Sequence, residues 1–161
     1  MDRLLDKYNQ PSPRYTSYPP IPCWGRAGND DELRTAVKAS TEPLSIYFHI
    51  PFCRRLCLYC GCNTVITNEA ARATRYLESV FSEIDQFEAA HGRRVTQVHW
   101  GGGSPTFLSP ADAGELADRI RDTFEVGPDA EVSIEIDLRV ISLEYLEVLS
   151  RFGFNRMSVG V

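Results

Sequence analysis

The 161-residue sequence contains no run of about 18 consecutive uncharged apolar residues, so it offers no membrane-spanning helix. Its first residues, Met1-Asp2-Arg3-Leu4-Leu5-Asp6-Lys7, lack the apolar stretch of a secretory signal. It also lacks an excess of basic charge: 17 Lys and Arg stand against 22 Asp and Glu, a formal net charge of −5. Nucleic-acid binders need a basic patch to neutralise phosphates, so neither a nucleic acid nor a membrane is expected as a partner. The hydrophobic share, 43%, is that of a globular chain rather than a disordered tail. These absences together point to a domain-sized chain working in the cytoplasm.

What is present in excess is thiol at one place. Four of the five cysteines, Cys53, Cys57, Cys60 and Cys62, fall within ten residues, while Cys23 stands apart. A disulfide scaffold spreads its cysteines along a shorter secreted chain, so packed thiols here imply metal.

Two regions follow from the patterning. Residues 1–43 read as an irregular N-terminal arm, with Pro11, Pro13, Pro19, Pro20 and Pro22 among tyrosines and serines, and a short helix from about Asp30 to Ala39. Residues 44–161 alternate strand and helix. Strands are expected at Leu44 to Ile50, Val95 to Trp100, Glu131 to Asp137 and Arg156 to Val161. Between them, Tyr76, Leu77, Val80, Phe81, Ile84 and Phe87 recur at helical spacing, with Gly92 as the expected stop. Ser109-Pro110-x-Asp112 gives the second helix an N-cap, a proline at its first position and an acidic third residue. A third helix is expected from Ser142 to Phe152, ending at Gly153.

This alternation calls for an α/β fold with a parallel sheet and right-handed crossovers. Ile46, Phe48, Ile50, Val98, Trp100, Val132, Ile134, Ile136, Met157 and Val159 make one strand face apolar. Tyr47, His49, Gln97, His99, Ser133, Glu135, Asp137 and Ser158 make the other polar. A sheet covered by helices on both faces is apolar throughout, so a shared polar face suits the lining of an incompletely filled barrel; a half-exposed sheet is the alternative.

Cys53-x3-Cys57-x2-Cys60 follows the first strand directly and therefore sits where barrel active sites are built. Structural zinc takes four ligands, commonly in two separated pairs, and a second pair is missing. Three thiolates in eight residues suit an iron–sulfur cluster with one iron left open, with zinc or bystander thiols as the alternatives. Trp100-Gly101-Gly102-Gly103-Ser104 follows the second strand, and its glycines allow close backbone approach to a ligand or merely a turn. Glu135 faces the same cavity, as a hydrogen-bond acceptor for a ribose or amine or as a solvated carboxylate. His49 and His99 are expected to line the cavity, and His91 to sit as a cation at a helix C-terminus.

Taken together, these motifs resemble the radical S-adenosylmethionine superfamily and, within it, the family of oxygen-independent coproporphyrinogen III oxidases. The resemblance rests on Tyr47-Phe48-His49-Ile50-Pro51-Phe52, on Cys53-Arg54-Arg55-Leu56-Cys57-Leu58-Tyr59-Cys60, and on Gly61-Cys62-Asn63. It continues through His99 to Thr106, Glu135-Ile136-Asp137, Gly153-Phe154-Asn155-Arg156 and the arm Arg14-Tyr15-Thr16-Ser17-Tyr18-Pro19. Leu138 departs from the family, which usually has proline after Glu-x-Asp.

The resemblance implies a 4Fe-4S cluster on Cys53, Cys57 and Cys60, with Cys62 a non-ligating neighbour. It also implies S-adenosylmethionine, chelating the open iron and contacted by Tyr47, Tyr59, Gly102, Gly103, Ser104 and Glu135. No side chain takes a catalytic role beyond the cluster. The implied chemistry is oxidative decarboxylation of coproporphyrinogen III to protoporphyrinogen IX by a 5′-deoxyadenosyl radical, in haem biosynthesis. An electron donor protein is the implied partner, and the full-length enzyme is expected to be a monomer. The implied fold is a six-unit (β/α)6 partial TIM barrel followed by a further domain. A full eight-unit barrel takes about 250 residues, so residues 44–161 are expected to be a truncated core and the chain an N-terminal fragment, inactive alone. Another radical S-adenosylmethionine relative such as a haem chaperone, a zinc module and a non-functional remnant are the other readings.

Overall fold

The computed structural model describes residues 23, 25, 29–58 and 60–160. The arm motif Arg14 to Pro19, Tyr59 and Val161 lie outside the described residues. The chain divides into two compact units, Met1–Thr35 and Ala36–Val161. In the first, Asn29 caps the start of helix α1 (Asp30–Ala39), its side-chain oxygen accepting from the Glu32 amide at 2.8 Å. Three acids, Asp30, Asp31 and Glu32, occupy that first turn, where the helix dipole favours negative charge.

The second unit is an α/β layer. Strands β1 (Leu44–Ile50), β4 (Arg94–Gly102), β5 (Glu125–Ile136) and β6 (Arg156–Val159) form one sheet in the order β1-β4-β5-β6, every pair parallel. Helices α2 (Ala70–Gln86), α3 (Pro110–Thr123) and α4 (Leu143–Arg151) make the crossovers. A second, two-stranded parallel sheet joins β2 (Phe52–Cys53) to β3 (Val65–Ile66).

Helices and strands begin and end for local reasons. Ser109 accepts from the Asp112 amide at 3.1 Å while its hydroxyl donates to the Asp112 carboxylate at 2.7 Å, with Pro110 at the first helical position. Ser142 likewise accepts from the Tyr145 amide at 3.1 Å to start α4, which stops before Gly153. Helix α2 ends earlier than Gly92: it closes at Gln86, and a 3-10 turn, Glu88–Ala90, intervenes. His91 Nε2 donates to the Ile84 carbonyl at 3.1 Å, covering one of the open carbonyls of the helix end.

Alternation along the strands builds the core. Phe48, Ile50, Val98, Trp100, Val132, Ile134 and Ile136 are buried on one face, together with Leu77 and Ile84 of α2, Leu116 and Ile120 of α3 and Leu149 of α4. Burying each such side chain stabilises the fold by about 1.5–3 kcal/mol. Met157 and Val159 fit the apolar pattern but are 50% and 45% exposed, because β6 pairs with β5 alone among the described strands. The turn into β6 is held by Asn155, whose side chain accepts from the Val132 amide at 3.0 Å and donates to the Ala130 carbonyl at 2.8 Å. Among the described residues no helix is long and apolar enough to cross a membrane.

Candidate functional site

The candidate site lies at the C-terminal ends of β1, β4 and β5, where parallel strands deliver their loops to one rim. Pro51 ends β1, and the short β2–β3 ladder turns the following loop back on itself. The Val65 amide donates to the Pro51 carbonyl at 2.7 Å and the Thr67 amide to the Cys53 carbonyl at 2.9 Å. Residues 54–64, which carry Cys57, Cys60 and Cys62, are thereby tied at both ends.

The glycine segment is stitched to the root of that loop. The Gly103 amide donates to the Ile50 carbonyl at 2.8 Å and the Ser104 amide to the Phe52 carbonyl at 2.9 Å. A Cβ on Gly103 would lie 2.7 Å from the Pro51 oxygen and 2.9 Å from the Phe52 oxygen, so only glycine permits this backbone approach. Gly102 has φ +116, and a side chain there would overlap the His49 ring at 2.6 Å. On the far side, Ser104 and Thr106 share a hydroxyl hydrogen bond of 3.0 Å, and Thr106 Oγ1 accepts from the Asp137 amide at 3.3 Å. Tyr145 of α4 donates to the Pro105 carbonyl at 3.1 Å.

Two histidines sit on the polar face. His49 Nε2 is 3.0 Å from the Asn63 carbonyl, which can only accept, so that nitrogen carries the proton and Nδ1 accepts from the Tyr47 hydroxyl at 3.0 Å. Strand β1 therefore grips the returning arm of the cysteine loop through Tyr47 and His49. The Tyr76 hydroxyl of α2 adds a 2.6 Å bond to the His49 carbonyl. His99 stacks on Tyr47, ring centroids 5.7 Å apart, and its Nδ1 lies 2.7 Å from the Ser133 hydroxyl.

Glu135 accepts from the Gly102 amide at 3.2 Å and faces His99 Nε2 at 3.6 Å. Burial, and after it the Glu135 carboxylate, raises the Tyr47 phenol above its ordinary pKa. Asp137, two residues on, holds Arg139 in a fork at 2.8 and 2.7 Å, and those hydrogen bonds pull its carboxyl below the usual range.

Cys53, Cys57, Gly102, Gly103, Ser104 and Glu135 line one open cleft of ≈ 950 Å³, with Cys62, Arg54, Arg55, Asp137 and Arg139 beside them. Cys60 and Tyr47 are not among the residues lining it: Cys60 is half-buried, its amide bonded to the Cys57 carbonyl at 3.1 Å, and Tyr47 is 54% exposed with its ring against His99. Burial, together with crowding by Cys60, Cys57 and Cys62, raises the Cys53 thiol. Arg139 escaped sequence reasoning; its signal is the Asp-x-Arg spacing, which permits the fork only once the loop after β5 turns back. In the sequence Ser133 is only one residue of the polar face; its contact with His99 comes from the β4–β5 register.

A family model described as the Radical SAM superfamily matches residues 47–161, and the chain belongs to that superfamily. An oxygen-independent coproporphyrinogen III oxidase from Mannheimia haemolytica is 43% identical over 136 residues, which cover 83% of this chain and 93% of that protein. The chain's place within the superfamily is accordingly the oxygen-independent coproporphyrinogen III oxidase family. The namesake from Escherichia coli (strain K12) is 43% identical over 160 residues, 98% of this chain and 35% of that protein. A solved structure of coproporphyrinogen III oxidase from Escherichia coli, described as a radical SAM enzyme, matches with a TM-score of 0.87 and 42% identity, over 99% of this chain and 36% of that one. This likeness bears out the expected fold. The chain spans about a third of the length of the Escherichia coli relative, 35%.

Membership implies a 4Fe-4S cluster and S-adenosylmethionine as cofactors, and the residues present fit them. The loop cysteines are unbridged thiols, and Cys53 and Cys57 stand at the wall of a cleft roomy enough for a nucleoside, with Cys60 next to them in the loop. Among the described residues no three His, Cys, Asp or Glu side chains converge tightly enough to hold a single metal ion. A cluster asks for less convergence, because each thiolate meets its own iron.

Proposed function

We propose that this chain binds a 4Fe-4S cluster through Cys53, Cys57 and Cys60, and S-adenosylmethionine through Tyr47, Tyr59, Gly102, Gly103, Ser104 and Glu135. In this reading it serves the oxidative decarboxylation of coproporphyrinogen III to protoporphyrinogen IX in haem biosynthesis. The single observation that carries the reading is the convergence of the cysteine loop, the glycine segment and Glu135 on one cleft at the C-terminal rim of a parallel sheet.

The geometry supports tasks for Gly102, Gly103 and Glu135. The Gly102 and Gly103 positions give backbone access beside the cysteine loop, which no residue with a Cβ could share. Glu135, with one oxygen on the Gly102 amide, keeps acceptor capacity directed at the cleft. The bound cofactors would supply the radical chemistry, and the residues of the cleft would orient them. An electron donor protein feeds the cluster, Cys62 stays a non-ligating neighbour, the whole enzyme is a monomer, and its compartment is the cytoplasm. Residues 1–43 form the arm and residues 44–161 the radical core.

Anaerobic reconstitution with iron and sulfide tests the first half. Broad visible absorption and a paramagnetic signal on reduction are expected, and both should be lost in Cys57→Ser. A zinc-binding chain would give neither. Conversion of coproporphyrinogen III, followed by porphyrin fluorescence after chromatography with the complete enzyme, tests the second half; turnover of a different substrate with no vinyl product sinks it.

A further inference from the structure

The imidazole of His99 is immobilised more thoroughly than a cavity-lining residue requires. One face stacks on Tyr47 at an interplanar angle of 23°, and Nδ1 contacts the Ser133 hydroxyl at 2.7 Å. Ser133 is buried, 5% exposed, and its single hydroxyl proton has two acceptors in reach, the Val98 carbonyl at 3.2 Å and His99 Nδ1 at 2.7 Å, so it serves one of them at a time. The register pairs His99 with Ser133 directly across β4 and β5. The ring is thus fixed by a neighbouring strand on one side and by β1 on the other.

That fixation presents Nε2 to Glu135 Oε1 at 3.6 Å. Gly101 is what lets the two approach. A Cβ there would lie 3.0 Å from His99 Nε2, 3.1 Å from the Glu135 carboxyl carbon and 3.1 Å from the Tyr47 ring, so three side chains close over one glycine. A bare nitrogen lone pair facing a carboxylate at this distance is repulsive, whereas an Nε2–H is attractive; the carboxylate therefore favours the form that carries the proton on Nε2, in which the Ser133 hydroxyl gives its proton to Nδ1 rather than to the Val98 carbonyl. Glu135 then accepts one hydrogen bond, from the Gly102 amide on Oε2, while His99 Nε2–H faces Oε1 at 3.6 Å as an electrostatic contact. Its remaining lone pairs point to the cleft.

We infer that His99 is a positioning residue, which with Ser133 behind it sets the Glu135 carboxylate for the ammonium or ribose hydroxyls of the nucleoside cofactor. The inference rests on the reading that Glu135 contacts S-adenosylmethionine, and goes beyond it by assigning the support of that carboxylate.

Two measurements test it. Long-range 1H–15N spectra of the chain resolve its three histidines, assigned with His49→Gln and His91→Gln. They are expected to show His99 protonated at Nε2; a His99 protonated on Nδ1 alone overturns the inference, and this readout needs no bound cofactor. Calorimetric binding of S-adenosylmethionine to the reconstituted chain is the second. His99→Phe keeps the stack on Tyr47 and loses the donor, and should weaken binding about threefold, the scale of a half-exposed charged contact. His99→Gln places an amide N–H near the same point and should recover most of the loss. Ser133→Thr, which keeps the hydroxyl, should bind as the parent, and Ser133→Ala should weaken binding. Parent-like affinity in His99→Phe overturns the inference, and leaves the reading of the site standing if Glu135→Gln still weakens binding. No effect of Glu135→Gln overturns the reading itself.

Discussion

The two faces of the sheet are built from alternate residues of the same strands, and they are held by different physics. On the covered face Ile50, Trp100 and Ile134 meet Leu77, Leu116 and Leu149, and cohesion comes from excluded water and close packing. On the other face directed hydrogen bonds join Tyr47 to His49, His99 to Ser133 and Glu135 to the Gly102 amide, and glycines replace side chains where backbones must touch. A packed face tolerates any side chain of the right volume. A hydrogen-bonded face tolerates only groups with the right donors at the right place, so the two should respond to mutation in opposite ways.

The most drastic test is on the cleft. Cys57→Ser should abolish iron incorporation, read as loss of iron content and visible absorption, yet leave the urea midpoint unchanged; a large fall in stability would mean the loop supports the core. Leu116→Ala should do the reverse. Leu116 is fully buried at 0% exposure, and its truncation should cost about 2–5 kcal/mol in urea unfolding, with iron content per folded chain preserved.

Gly103→Ala joins the two effects. The new methyl would meet the Pro51 and Phe52 carbonyl oxygens at 2.7 and 2.9 Å, costing about 1–3 kcal/mol and lowering iron content as the loop root shifts. Parent-like values for both would break the argument for close backbone approach. Ser109→Ala removes a helix cap far from the cleft and should cost about 1 kcal/mol with normal cofactor binding.

The smallest effect concerns pH. Hydrogen bonds from Arg139 lower the Asp137 pKa in the folded chain. The stabilisation from this pair is therefore complete above the ordinary carboxylate range and is lost as pH falls through the lowered value. A carboxyl 13C titration of Asp137 should show a midpoint below that of an unpaired Asp, and Arg139→Gln should restore it; a midpoint at or above the ordinary value refutes the fork.

Much of this was legible because local rules and tertiary outcome agree. Ser109 with Pro110 and Asp112, Ser142, and the alternation of Phe48 and Ile50 with Tyr47 and His49 each act within a few residues, and each appears as expected. Where the reading fell short, partners remote in sequence decided. Strand β4 runs on through Gly101 and Gly102 because these pair with His49 and Ile50 of β1. Strand β5 begins at Glu125, through Gly127 and Pro128, because β4 accepts a register shift between Val95 and Gln97. The β2–β3 ladder is two residues long on each side, too short for any periodicity. Met157 and Val159 show that an apolar pattern states where a residue would be buried, and only a neighbouring element buries it.

By itself the sequence determined the strand and helix alternation, the caps and the cysteine spacing, since each depends on neighbours along the chain. Only the tertiary structure decided that Gly103 touches the root of the cysteine loop, that His99 faces Glu135 across Gly101, and that Arg139 folds back on Asp137. Those contacts join strands and loops that the chain separates, and their geometry exists only once the parallel sheet has set its register.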